Sequence, residues 1–113
     1  MLDLNKETSE ALGRAIKFYF KDGFNRKMED VNNSNDSLII TESIIERLNY
    51  KELNDKDYDF LSKVIEHYYL NYIWRVLVKQ DREKASDEDY LMRNIFQKPG
   101  SKIKLSYSVL MRL

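Results

Sequence analysis

Residues 54–80 read NDKDYDFLSKVIEHYYLNYIWRVLVKQ, and their apolar spacing sets the fold class. Tyr58, Leu61, Ile65, Tyr68, Tyr72 and Val76 recur at steps of three and four, the period of an α-helix. Phe60, Val64, Tyr69, Ile73 and Leu77 form a second stripe on the adjoining face. Together the stripes make an apolar sector too wide for a helix with one buried side. A long central helix is expected, packed on two sides, capped by Asn54 or Asp55 and ending near Gln80.

Upstream, a helix is expected over about 6–22. Asn5 is placed to cap it, and Glu7 and Glu10 sit near the positive end of its dipole. Leu12, Ile16, Tyr19 and Phe20 share its apolar face with Ala11 and Ala15, and Gly23 suits the position just past its end. Residues 25–37 are polar and read as a loop. Residues 38–41 are either a brief strand or the first turn of a helix. A helix over about 42–50 follows from the capping-box spacing of Ser43 and Glu46.

Downstream, residues 81–85 read as a charged connection, and Ser86 with Asp89 as the start of a further helix bearing Tyr90, Leu91, Ile95 and Phe96. Lys98-Pro99-Gly100 predicts a turn. Ile103, Leu105, Tyr107, Val109, Met111 and Leu113 then alternate strictly with Lys104, Ser106, Ser108, Leu110 and Arg112, the pattern of a strand with one apolar face. Such a strand needs a neighbour, either residues 38–41 or another chain. The expected fold is mainly α with a minor β component: about four helices around a long central one, in a single domain spanning residues 1–113.

The chain has 113 residues, room for one domain. Its 42% hydrophobic content supports a core, and its 34% charged content implies long polar helix faces. The absence of cysteine excludes disulfides, thiolate nucleophiles and sulfur-based zinc sites, and fits a cytoplasmic setting. The first ten residues lack the basic and apolar regions of a signal peptide. The longest run without Asp, Glu, Lys or Arg is eight residues, from His67 to Trp74, against about 20 for a membrane span, so no membrane partner is expected. Scarce Ala, Gly and Pro beside abundant Asn, Lys, Ile and Tyr suggest an AT-rich genome, such as that of a low-GC bacterium or its phages.

Catalytic chemistry finds little support. Asp55, Asp57, Asp59 and Glu66 have the acidic spacing of an EF-hand calcium loop, but Phe60 stands where that loop needs glycine. Acidic residues starting a helix account for the same spacing. His67 is the single histidine and no Ser or Asp pattern points at it. Gly13, Gly23 and Gly100 are too far apart for a phosphate-binding loop. No catalytic residue, metal or cofactor is expected.

Charge segregation carries the functional expectation. Residues 28–60 hold nine acidic and three basic side chains, whereas residues 98–113 hold four basic and no acidic ones. Patches of opposite sign steer association with charged partners. The leading expectation is a non-enzymatic regulator or inhibitor that binds a larger protein through Glu29, Asp30, Asp36, Glu42, Glu46, Asp55, Asp57 and Asp59. Tyr69 and Trp74 are candidate exposed aromatic contacts, since they lie off the main stripe. Size and composition suit a phage or mobile-element product that acts on a host nucleic-acid-handling or defence system. A homodimer through the C-terminal strand is a further expectation. The alternative is a nucleic-acid-binding regulator using Arg14, Lys17, Lys21, Arg26, Lys27, Lys102 and Lys104.

Overall fold

The computed structural model describes residues 5–23 and 53–113, together with Ser43 and Glu46. Among these the chain is mainly helical, with no strand. Helix α1 spans Lys6–Phe18 and widens into a π-helical turn over Tyr19–Gly23. The Asn5 side chain accepts the Thr8 N–H at 2.8 Å, satisfying one of the first-turn donors. Helix α2 runs through Asp55–Tyr68, then a π-helical stretch Tyr69–Leu77, then Val78–Gln80. Asn54 and Asp57 close a reciprocal capping box at its start.

The π stretch has a physical reading in the buried side chains. Leu61, Val64, Ile65 and Tyr68 are buried at mixed steps of three and four, as an ordinary helix requires. Beyond them, Tyr69, Ile73 and Leu77 are buried at strict steps of four. In a helix of 3.6 residues per turn such a stripe drifts around the cylinder. A wider turn holds it closer to one face, and the Val78 N–H donates to the Ile73 carbonyl five residues back.

Helix α3 spans Arg82–Phe96. It therefore begins before Ser86, and the expected connection over 81–85 is largely helical. Asp81 supplies the reason: its extended backbone breaks the chain after α2, and its side chain accepts the Lys84 N–H at 3.1 Å. The earlier start places Ala85 in register with Glu88, Met92 and Ile95, the buried stripe of this helix. Lys98 to Ser101 then form a turn closed by a 3.0 Å hydrogen bond from the Ser101 N–H to the Lys98 carbonyl. Pro99 leads it, and Gly100 takes φ 85°, a value a side chain would oppose.

One core joins the three long helices. Leu12 and Ile16 of α1, Leu61, Ile65 and Ile73 of α2, and Met92 and Ile95 of α3 are all essentially inaccessible. Ala11, Ala15 and Ala85 keep the side chains short where α1 and α3 approach the others.

The expected C-terminal strand is corrected. Residues 101–106 belong to no helix or strand, Ser106 has an extended backbone, and a short helix α4 follows at Tyr107–Leu110. Alternation is real over part of this stretch, since Ile103 and Leu105 are half-buried while Lys102 and Lys104 are exposed. Two of its backbone N–H groups, however, are satisfied by α2 side chains. The Lys104 N–H donates to Ser62 Oγ at 2.9 Å, and the Ser106 N–H donates to Glu66 Oε1 at 2.7 Å. Two residues of extended chain advance roughly 6.6 Å and one four-residue helical step roughly 6 Å, so one face of α2 can meet alternate donors. Ser106 then caps α4 by accepting the Val109 N–H at 3.4 Å. Strand pairing over the full stretch from Ile103 to Leu113 is replaced, at Tyr107–Leu110, by helix α4. The partner expected at 38–41 lies outside the described residues, as does most of the helix over 42–50. No helix among the described residues is long and apolar enough to cross a membrane.

Candidate interaction surface

Two neighbouring carboxylates of α3 meet two neighbouring tyrosines of α2. Tyr68 donates its hydroxyl proton to Glu88 Oε2, and Tyr69 donates to Asp89 Oδ1. Each carboxylate also holds an arginine. Arg14 of α1 forks onto Glu88, with Nε 3.2 Å from Oε2 and its terminal nitrogen on Oε1. Arg93 places Nε 2.9 Å from Asp89 Oδ1. Glu88 is one of two buried polar or charged residues among the described ones, and these contacts permit its burial. The same contacts raise the pKa values of Arg14 and Arg93 above their ordinary range.

Both tyrosines are shifted upward, first by burial and then by donation to the carboxylate beside each. Their protonated forms are thus favoured in the folded protein. Above the ordinary tyrosine value of 10.0 the unfolded chain releases protons that the native state retains, so stability falls as pH rises past that point. Melting temperatures are expected to hold from neutral pH to about pH 9 and then decline. At least two of the eight tyrosines should show phenolate absorbance at 295 nm only as the fold melts. Complete titration of all tyrosines with helicity intact would contradict this environment.

Glu88 and Arg14 line an open groove of about 610 Å³ between α1 and α3. Glu7 and Glu10 line it from α1, and Lys84, Asp87, Tyr90 and Leu91 from α3. Four acidic side chains thus face two basic ones, and Arg14 is already committed to Glu88. Tyr90 is 65% exposed at the groove, and Leu91, which also lines it, is half-buried. The combination is negative charge beside accessible aromatic and aliphatic surface. Glu88 itself is held by three donors, two from Arg14 and one from Tyr68.

The residues singled out from sequence are distributed differently. Glu29, Asp30, Asp36, Glu42, Arg26 and Lys27 lie outside the described residues. Glu46, Asp55 and Asp59 are exposed, and Asp57 serves the α2 cap. Asp55 and Glu66 belong to one continuous helix, roughly 16 Å apart along its axis, which is incompatible with a single calcium loop. Among the described residues no three of His, Asp and Glu gather where a metal could be held.

Tyr69 is corrected from exposed to fully buried, because it lies one four-residue step beyond buried Ile65 and continues to Ile73 and Leu77 on the inner face. Trp74 is half-buried, and its ring face is covered by Arg112, whose guanidinium carbon lies 4.1 Å from the ring centroid. His67 packs between Phe18 and Tyr19, each ring centroid 5.5 Å away, and its Nδ1 faces the Asn71 amide at 3.0 Å. Lys17 and Lys21 are exposed on α1, while Lys102 and Lys104 are exposed on the segment that crosses α2. Lys104 shares a shallow cleft with Asp59 and Glu66, so the basic end of the chain lies partly against the acidic side of α2.

Sequence reasoning missed the groove. Glu88 and Arg14 are 74 residues apart, and no local pattern joins them. The available signal was Glu88 itself, an acidic residue in register with Ala85, Met92 and Ile95 on an apolar stripe. A buried carboxylate requires partners, and that requirement points to a basic residue elsewhere in the fold. No protein-family model, curated protein or solved structure matches the chain.

Proposed function

We propose that this protein is a non-enzymatic binding module, a regulator or inhibitor whose groove between α1 and α3 receives a basic segment of a protein partner. The observation that carries this reading is the joint lining of Glu7, Glu10 and Asp87 with the exposed ring of Tyr90. Carboxylates attract Lys and Arg and speed encounter, while tyrosine supplies contact area at low entropic cost. The acidic surface differs from the 28–60 segment expected from sequence, but the type of partner is the same. Nucleic-acid contact draws less support, since Arg14 is committed to Glu88 and Trp74 is covered by Arg112.

Calorimetric titration with Lys/Arg-rich and Asp/Glu-rich peptides of equal length tests the reading. The basic peptide is expected to bind and the acidic one not to. Affinity should fall at least tenfold in the double variant Glu10→Lys, Asp87→Lys, and should weaken as salt is raised. Equal binding by wild type and variant, or no binding of the basic peptide at low salt, would refute it.

A further inference from the structure

Four large hydrophobic side chains are prominently exposed among the described residues, and they fall on two surfaces. One is Tyr90, in the acidic groove. The other three are Tyr107 at 75%, Leu110 at 50% and Met111 at 66%. Positions 107, 110 and 111 are spaced i, i+3 and i+4, so they share one face of the C-terminal turn. Val109 of the same turn is fully buried and anchors it to the body of the protein. The N–H groups of Lys104 and Ser106, fixed to Ser62 and Glu66, hold the approach to this turn. The exposed face is therefore presented by a fixed base. Exposed Lys102, Lys104 and Arg112 flank it, and residues 98–113 contain no acidic side chain.

We infer that the groove receives the C-terminal turn of a second copy of this chain, with Leu110 and Met111 against Tyr90 and Leu91, and the basic side of the segment, led by the exposed Lys102, toward Glu7, Glu10 and Asp87. The complementarity is in both charge and apolar surface. An acidic groove with an apolar part meets a basic segment with an apolar face, and these two surfaces account for all four of the exposed large hydrophobics. Methionine and tyrosine suit such a contact, one by adapting its shape and the other by its amphipathic ring.

The groove belongs to α1 and α3, whereas the turn follows the segment that crosses α2. The two surfaces share no residue, so each copy offers both. The contact is head-to-tail, and copies add without a two-fold limit unless a ring closes. A contact this small belongs to the weak, transient class, so association is sought at chain concentrations of about 1 mM. This inference rests on the groove being a receiver of basic protein segments, and it adds that the chain carries such a segment itself. Self-association then competes with any other partner for the groove.

Sedimentation equilibrium of the full chain tests it with two surface variants. Glu10→Lys with Asp87→Lys disables the groove and leaves the turn intact. Leu110→Ser with Met111→Ser disables the turn and leaves the groove intact. Wild type is expected to gain average mass steadily with concentration, less so in high salt. Each variant alone should remain monomeric, and an equimolar mixture should form a one-to-one dimer that grows no further. A wild type that is monomeric at about 1 mM in low salt, or variants that fail to complement, would overturn the inference. Retained binding of the basic peptide by the Leu110→Ser, Met111→Ser variant would show that the groove reading survives that failure.

Discussion

Ile73→Ala is expected to lower unfolding free energy by about 2–5 kcal/mol, while Arg75→Ala should change it by less than about 0.5 kcal/mol. The two residues are neighbours on the π-helical part of α2, yet Ile73 is 1% exposed and Arg75 is exposed. Truncating Ile73 removes buried methyl and methylene groups and leaves a cavity that close packing fills incompletely. For a domain of this size the loss corresponds to a fall in melting temperature of roughly 10–20 °C. Chemical denaturation read by helical circular dichroism would measure both variants. Comparable losses at both positions would mean that the buried face of this stretch is misassigned.

Glu88→Ala is expected to cost about 2–4 kcal/mol. The larger part comes from Tyr68, which is 2% exposed and would keep its hydroxyl in the interior without its acceptor. The ion pair contributes less, because the Arg14 side chain is 52% exposed and can turn to water. Two further variants separate these parts. Glu88→Gln retains a carbonyl acceptor and should cost about 1 kcal/mol. Tyr68→Phe should make the loss of Glu88 less damaging, so that the double variant Tyr68→Phe, Glu88→Ala costs less than the sum of the singles. Strict additivity would show that the hydroxyl and the carboxylate are energetically independent.

The contrast between local and distant partners explains what could be read from the sequence. Asn5 is legible as a cap because the donor it serves, the Thr8 N–H, lies three residues away. The Lys98-Pro99-Gly100 turn is legible because proline and glycine restrict the backbone themselves. Ser86 misled because its capping chemistry is duplicated by Asp81, and the choice between them falls to the burial of Ala85, a tertiary property.

The C-terminal alternation misled for a different reason. A period of two reports extended chain, and the reading supplied a strand partner because backbone donors must be satisfied. Ser62 and Glu66 satisfy them from a helix, an arrangement with no sequence period of its own. Tyr69 reads as outward when the stripe of Tyr58, Leu61, Ile65, Tyr68 and Tyr72 alone is set inward, but the second stripe is buried too. Its four-residue spacing to Ile73 and Leu77 places it on that second stripe. The acidic groove was the least legible feature, since it is assembled from residues near position 10 and near position 87.

The charge segregation also takes a more definite form. Part of the basic C-terminal segment lies against the acidic side of α2, where Lys104 shares a cleft with Asp59 and Glu66. The acidic surface of α1 and α3 is a separate feature, and it has its own accessible ring in Tyr90. The proposed binding surface is the one where negative charge and exposed apolar surface coincide.

Chemical-shift mapping on the isotopically labelled chain, titrated with a short Lys/Arg-rich peptide, tests that placement most directly. The account predicts graded shifts confined to the amides of Glu7, Glu10, Lys84, Asp87, Tyr90 and Leu91 and their immediate neighbours. Shifts centred on other residues, or none at peptide concentrations of about 1 mM, would contradict it.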